Sequence, residues 1–218
     1  MRVWDVNPGY LNRQSLLGEH REIHAIFAIV THGKKGYAHH PETLRWKERL
    51  AALKQRHDLV VSEMRLRGYQ HHSPVTAPGS LVWPAELVDP PANQFAILEE
   101  KYRDREPGRI PLPQSAQQLW AQHEHSFLAR DPAYRHRDTL SFEQLALECV
   151  EMLRTRPSEE LVMDALGRMW ECVSQFAKNI PDDPVALIEI LRDLSFRHHA
   201  VYLLESTALS DLHAWVSA

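Results

Sequence analysis

Residues 11–27, LNRQSLLGEHREIHAIF, carry the pattern that decides the fold. Asn12 stands where a helix N-cap belongs, because its side-chain oxygen can accept one of the orphan amides of the first turn. Leu16, Leu17, Ile23, Phe27 and Val30 then recur at helical spacing. This predicts a helix running from the turn Asn7-Pro8-Gly9 to about Thr31.

The same period recurs on both sides of this segment. A basic loop, Gly33-Lys34-Lys35-Gly36, separates it from a second helix that begins near Pro41, a favoured first-turn residue. Leu50, Leu53, Val60, Val61 and Met64 keep the period up to Gly68, placed as a C-cap. Residues 70–91, with Pro74, Pro78, Gly79, Pro84, Pro90 and Pro91, read as an ordered loop, and a shorter helix follows at 93–105. Further helices are predicted at about 114–129, 142–155, 159–179 and 184–206. Ser141 with Gln144 forms a capping box, and Asp183 before Pro184 marks a helix start. With no convincing strand and no internal repeat, the chain reads as all-α.

Composition narrows the class. The 218 residues suffice for one large domain or two small ones. No apolar run approaches the roughly 20 residues of a membrane span. The N-terminus MRVWDVNPGY lacks the apolar core of a signal peptide. Two cysteines, Cys149 and Cys172, provide neither a disulfide framework nor a CxxC pair. The expected location is the cytoplasm. The net charge of −4 is uneven: residues 1–69 hold 12 basic against 7 acidic residues, whereas residues 113–218 hold 9 against 16. The Pro/Gly-rich stretch 106–113 reads as a linker where this balance turns, which divides the chain into 1–112 and an acidic helical accessory domain, 113–218.

The segment 11–27 resembles the pyrimidine-dimer DNA glycosylase family of the phage endonuclease V type. Gln14 and the run Glu19-His20-Arg21-Glu22 match its first helix, LAALKQRHDLVVSEMRLRGY (residues 50–69) its long basic helix, and Gly33-Lys34-Lys35 its basic loop. The likeness spans roughly the first 110 residues. Ser15 and His24 depart from it, standing where the family has His and Pro.

The resemblance implies an endonuclease V-like helical domain acting on double-stranded damaged DNA, with base excision and abasic-site lyase activity. The catalytic carboxylate falls on Glu22, and the nucleophilic amine on Met1. Retention of an initiator Met before the bulky Arg2 agrees with that assignment. An α-amine, with a pKa of about 7.7–8.0, is partly unprotonated near neutral pH and can attack C1′ of deoxyribose. DNA contacts are expected from Arg2, Arg13, Gln14, Arg21, Lys34, Lys35, Arg45 and Arg49. Trp4 could wedge into an opened base stack or equally anchor the core.

Two other readings compete: a DNA-binding module of the same fold without catalysis, and a metal-dependent hydrolase. The latter rests on His20 and His24, which share a helix face. HREIH is not HExxH, however, and the sequence offers no evident third ligand. The histidines are therefore read as surface or loop residues, and no metal or cofactor is expected. The oligomeric state is left open, with a monomer favoured.

Overall fold

The computed structural model describes residues 1–134, 140–177 and 179–217. Among them the architecture is all-helical. After a 3-10 turn at Pro8–Tyr10 come α1 (Arg13–His32), α2 (Pro41–Trp46), α3 (Leu50–Leu66), α4 (Pro91–Tyr102) and α5 (Ala116–Leu128). These are followed by α6 (Phe142–Arg154), α7 (Glu159–Glu171), α8 (Pro184–Arg197), α9 (Val201–Leu204) and α10 (Ala208–Val216). None of the described helices is long and apolar enough to cross a membrane.

Local chemistry explains most boundaries. The Asn12 side chain accepts the Ser15 amide at 2.9 Å, and Gly33 ends α1 in the left-handed region at φ 62°. The Tyr69 amide returns to the Met64 carbonyl at 3.0 Å around Gly68, whose φ is 81°. Ser141 and Gln144 cap α6 reciprocally, and the Asp183 side chain accepts the Ala186 amide. Three expectations need correction. The helix expected from Pro41 to Gly68 is broken at Lys47–Arg49, where Arg49 leaves helical geometry with φ −130°. The helix expected at 159–179 ends at Glu171, and Lys178 lies outside the described residues. The helix expected at 184–206 breaks where His199 adopts φ 51°.

The helix α3 is the hub. It packs on α1 on one side and on α10 on the other, while α5 meets α6 and α7, and α8 meets α7 and α10. One core gathers Trp4, Tyr10, Leu16, Ile23, Trp46, Leu53, Leu98, Phe127 and Leu145. A second surrounds Leu166, Met169, Leu187, Leu191 and Leu209, and includes Leu66 of α3. The stretch 106–113, linker-like in composition, is packed: Ile110 is fully buried and its amide donates to the Gly9 carbonyl at 3.0 Å. At Gly108 a Cβ would stand 2.4 Å from the Tyr10 carbonyl oxygen, so only glycine permits this approach.

A buried ionic framework fastens the N-terminal segment to these helices. Glu63 of α3 receives Arg67 at 2.7 Å and both nitrogens of an Arg109 fork at 2.8 and 2.7 Å. Burial pushes the Glu63 carboxyl up, but the two guanidinium groups outweigh it and hold it at about 2. Arg67 also donates to the carbonyls of Leu11 and Gly9, at 2.7 and 3.1 Å. Asp5 accepts from Arg45, from Gln94 at 3.0 Å and from Arg154 of α6 at 2.8 Å.

Candidate active site

The run Glu19-His20-Arg21-Glu22 is split by the 100° turn per residue of α1. Glu19 faces inward, 2% exposed. Its carboxylate accepts Arg56 Nε at 2.7 Å, Arg56 Nη2 at 2.9 Å and the Trp4 amide at 3.1 Å. Arg56 also donates to the Val6 carbonyl at 2.9 Å. Glu19 thus serves the fold. Arg21 is exposed, and Glu22 is half-buried with no hydrogen bond or ion pair to any described residue.

The N-terminal segment meets α1 at this turn. The Trp4 amide sits on Glu19, and three residues span at most about 11 Å of chain, which bounds the reach of the Met1 amine. Glu22 lies one turn further along the helix, about 4.5 Å in axial rise. Met1 is partly exposed, and its Sδ accepts the Thr43 hydroxyl at 3.3 Å. The Arg2 guanidinium lies 4.0 Å over the Trp4 ring and pairs with Asp89 at 2.9 Å. Thr43 and Asp89 neighbour Leu44 and Val88, which line a cleft of about 530 Å³ together with Pro41, Arg45, Arg49 and Leu87. That volume falls in the range of small-molecule sites.

The remaining candidates are dispersed. Arg13, Lys34 and Lys35 are exposed and, like Arg21, make no ion pair with a described residue. Gln14 is exposed and accepts Arg105 Nη1 at 2.8 Å. Trp4 is 4% exposed and sits in the core rather than on the surface. The Arg45 side chain is 6% exposed and is committed to Asp5 and to Glu42, the latter at 3.0 Å. Arg49 is half-buried, with a long 3.4 Å contact to the Arg45 carbonyl and its Nε unpartnered. The solvent-facing cations among the candidates are therefore at α1 and its following loop, while Arg45 and Arg49 stand back at the cleft.

Sequence reasoning missed Thr43 and Asp89, which have no periodic signature and matter only through their contacts with residues 1 and 2. It also missed the partners of His20 and His24. His57 of α3 and His71 of the loop after it join them, and a ring nitrogen from each lies within 4.8 Å of the others. On the α1 wheel His20 and His24 are about 160–200° from Glu22, so the histidines and the candidate carboxylate occupy opposite faces.

No curated protein and no solved structure matches the chain. A family model does match, ending well short of the roughly 110 residues over which the motifs resemble the endonuclease V type. Over residues 1–77, which include the N-terminal segment, α1, α2 and α3, the chain matches the pyrimidine dimer DNA glycosylase family.

Proposed function

We propose that the protein is a DNA glycosylase with abasic-site lyase activity, acting on pyrimidine dimers or a related base lesion through the Met1 amine and Glu22. The observation that carries this reading is the fastening of the N-terminal segment. Chain ends ordinarily fray. Here residues 3–12 are buried and held by Glu19, Arg56, Gln94, Arg67 and Tyr102, up to the residue that meets α1 one turn before Glu22. A fixed N-terminus is what a nucleophilic α-amine requires, because misplacement by about 1 Å can cost two orders of magnitude.

In the proposed reaction the neutral amine attacks C1′ of the damaged nucleotide. The C1′–N bond breaks and the base departs with its electron pair and a proton from the amine; the C1′–O4′ bond then opens, O4′ leaving with its electron pair and taking a proton from solvent, and a protonated imine joins Met1 to the sugar. Glu22 stabilises that cation and removes a C2′ proton. The electrons released expel the 3′ phosphate by β-elimination, cleaving the strand, and water then hydrolyses the imine. Arg13, Arg21, Lys34 and Lys35 hold flanking phosphates, which position the duplex without reading its sequence. Residues 113–218 act as a helical buttress behind α3 that does not itself hold DNA.

Borohydride trapping on ultraviolet-irradiated and on abasic DNA tests the reading. The unmodified chain should give a covalent adduct, and the chain acetylated at Met1 should give none. Equal trapping by both would assign the imine to a lysine instead. No adduct from either, on any lesion, would refute the enzyme reading.

A further inference from the structure

We infer that His20, His24, His57 and His71 bind one first-row transition-metal ion, of the Zn²⁺ class, which ties the loop 69–90 to α1 and α3. The proposal stands on the geometry of the four rings and does not rest on the glycosylase reading.

The geometry has four parts. First, His20 and His24 are four residues apart on one face of α1, and their Nε2 atoms are 3.2 Å apart. Two nitrogens bound to one tetrahedral ion at 2.0–2.1 Å stand about 3.3–3.4 Å apart, so this pair already spans a coordination edge. Second, His57 is 1% exposed, and its Nε2 is buried with no hydrogen-bond partner. An orphaned buried nitrogen costs about 1–3 kcal/mol unless something occupies it. The His57 ring centroid is 5.4, 5.1 and 5.1 Å from those of His20, His24 and His71.

Third, the other nitrogen of His57, Nδ1, lies 3.1 Å from the Asp58 carboxylate. That contact fixes the tautomer so that Nε2 is the free lone pair, the carboxylate–histidine relation typical of metal ligands. Fourth, His71 comes from a loop and can adjust. All four ring nitrogens lie within 4.8 Å, so closing onto one ion takes shifts of about 1.4 Å, within the reach of ring rotation and small loop movement.

The surroundings agree. Burial, followed by the neighbouring imidazoles, lowers His20 to about 4, and burial likewise lowers His24 and His71. These shifts favour the neutral imidazole, the form that binds metal without first losing a proton. Four imidazoles with no thiolate suit Zn²⁺, Cu²⁺ or Ni²⁺ rather than Mg²⁺ or Ca²⁺. A cleft of about 270 Å³ lined by His57, His71, Lys54 and Asp58 offers an entry path. Coordination by His71 would anchor the same loop that carries Asp89, the partner of Arg2, and Leu87 and Val88 of the larger cleft.

The test uses the full chain stripped with a chelator and titrated with Co²⁺, then with Zn²⁺ in competition. The expected result is one ion per chain, with visible d–d absorption of four-coordinate cobalt that Zn²⁺ abolishes. His71→Ala, in the loop, and the pair His20→Ala/His24→Ala should weaken binding at least about a hundredfold. Asp58→Asn should weaken it about tenfold to a hundredfold. His198→Ala, remote from the cluster, should bind as the parent does. Zn²⁺ should slow proteolysis within residues 72–82 of the parent but not of His71→Ala. If His57→Ala fails to fold, His71→Ala still decides the matter. The proposal is overturned if the stripped parent binds none of Co²⁺, Zn²⁺, Ni²⁺ or Cu²⁺ stoichiometrically. It is equally overturned if folded His71→Ala and His20→Ala/His24→Ala bind as tightly as the parent, which would place the ion on scattered surface histidines.

Discussion

Replacing Arg56 with methionine isolates what holds the N-terminal segment in place. Methionine keeps the length of the apolar stem but removes the guanidinium, whose three nitrogens reach Glu19 at 2.7 and 2.9 Å and Val6 at 2.9 Å. The pair is 2% and 0% exposed, so solvent screening does not soften the loss. Removing one partner of such a pair costs about 3–5 kcal/mol, and the stranded Val6 carbonyl adds about 1 kcal/mol. Against a total stability of about 5–15 kcal/mol, Arg56→Met should remain folded only marginally at 25 °C. Glu19→Leu combined with Arg56→Met removes both charges and should recover most of the loss. Urea denaturation of parent, single and double variants measures this. The catalytic readout should diverge from the stability readout. In the double variant the Trp4 amide has lost its acceptor on α1, so borohydride trapping should stay depressed, measured where all three proteins are folded. An Arg56→Met variant within about 1 kcal/mol of the parent, or a double variant no more stable than the single, would refute the energetic argument. A double variant that traps at the parental rate would refute the link between the clasp and the amine.

Glu22→Gln keeps the size of the side chain but removes its basicity. It should leave DNA binding nearly intact while lowering strand cleavage at least about a hundredfold, as a gel assay on abasic DNA would report. Lys34→Glu with Lys35→Glu should weaken binding to all sequences alike and reduce the slope of log affinity against log salt by about two; an unchanged slope would remove this loop from the interface. Stability should fall in acid. Burial, with Arg130 adding to it, lowers His123 to about 3, and burial and Arg192 outweigh Glu189 to lower His213 to about 4. Both groups bind protons more readily when unfolded, so their contribution is complete above about pH 6.5 and is lost as pH falls from there toward the folded values. Urea midpoints at several pH values should show this decline, shallower in His123→Gln. Finally, Gly108→Ala should destabilise the chain by about 1–3 kcal/mol, because its Cβ meets the Tyr10 backbone and not a movable side chain.

The helices that were legible in the sequence are those with one wet face and a local cap. Asn12, Ser141 and Asp183 each fix a boundary through a hydrogen bond made within three residues, so the signal is wholly local. The helix α10 was illegible for the opposite reason. Ala208 through Trp215 are all buried, which erases the polar face that periodicity needs, and Asp211 hides inside as the partner of Arg130 at 2.9 Å. Residues 106–113 carry the composition of a spacer, but Ile110 and Arg109 are fixed by partners 101 and 46 residues away. At the candidate site, the placement of Glu22 and Arg21 follows from α1 alone. The withdrawal of Arg45 onto Asp5, and the convergence of His57 and His71 on His20 and His24, arise from packing between elements and leave no mark on either segment separately.

The clasp on residues 3–12 also sets an order of events during synthesis. Asp5 awaits Arg154, 149 residues downstream, and Tyr10 awaits Gln122, 112 residues downstream. Each of these residues leaves the ribosome long before the partner it waits for, and contacts so distant in sequence are slow to form. A chain made short of Arg154 therefore carries, in the proposed reading, an amine whose clasp is incomplete. The clasp behind the proposed strand cleavage is complete only once α6 has been made and packed.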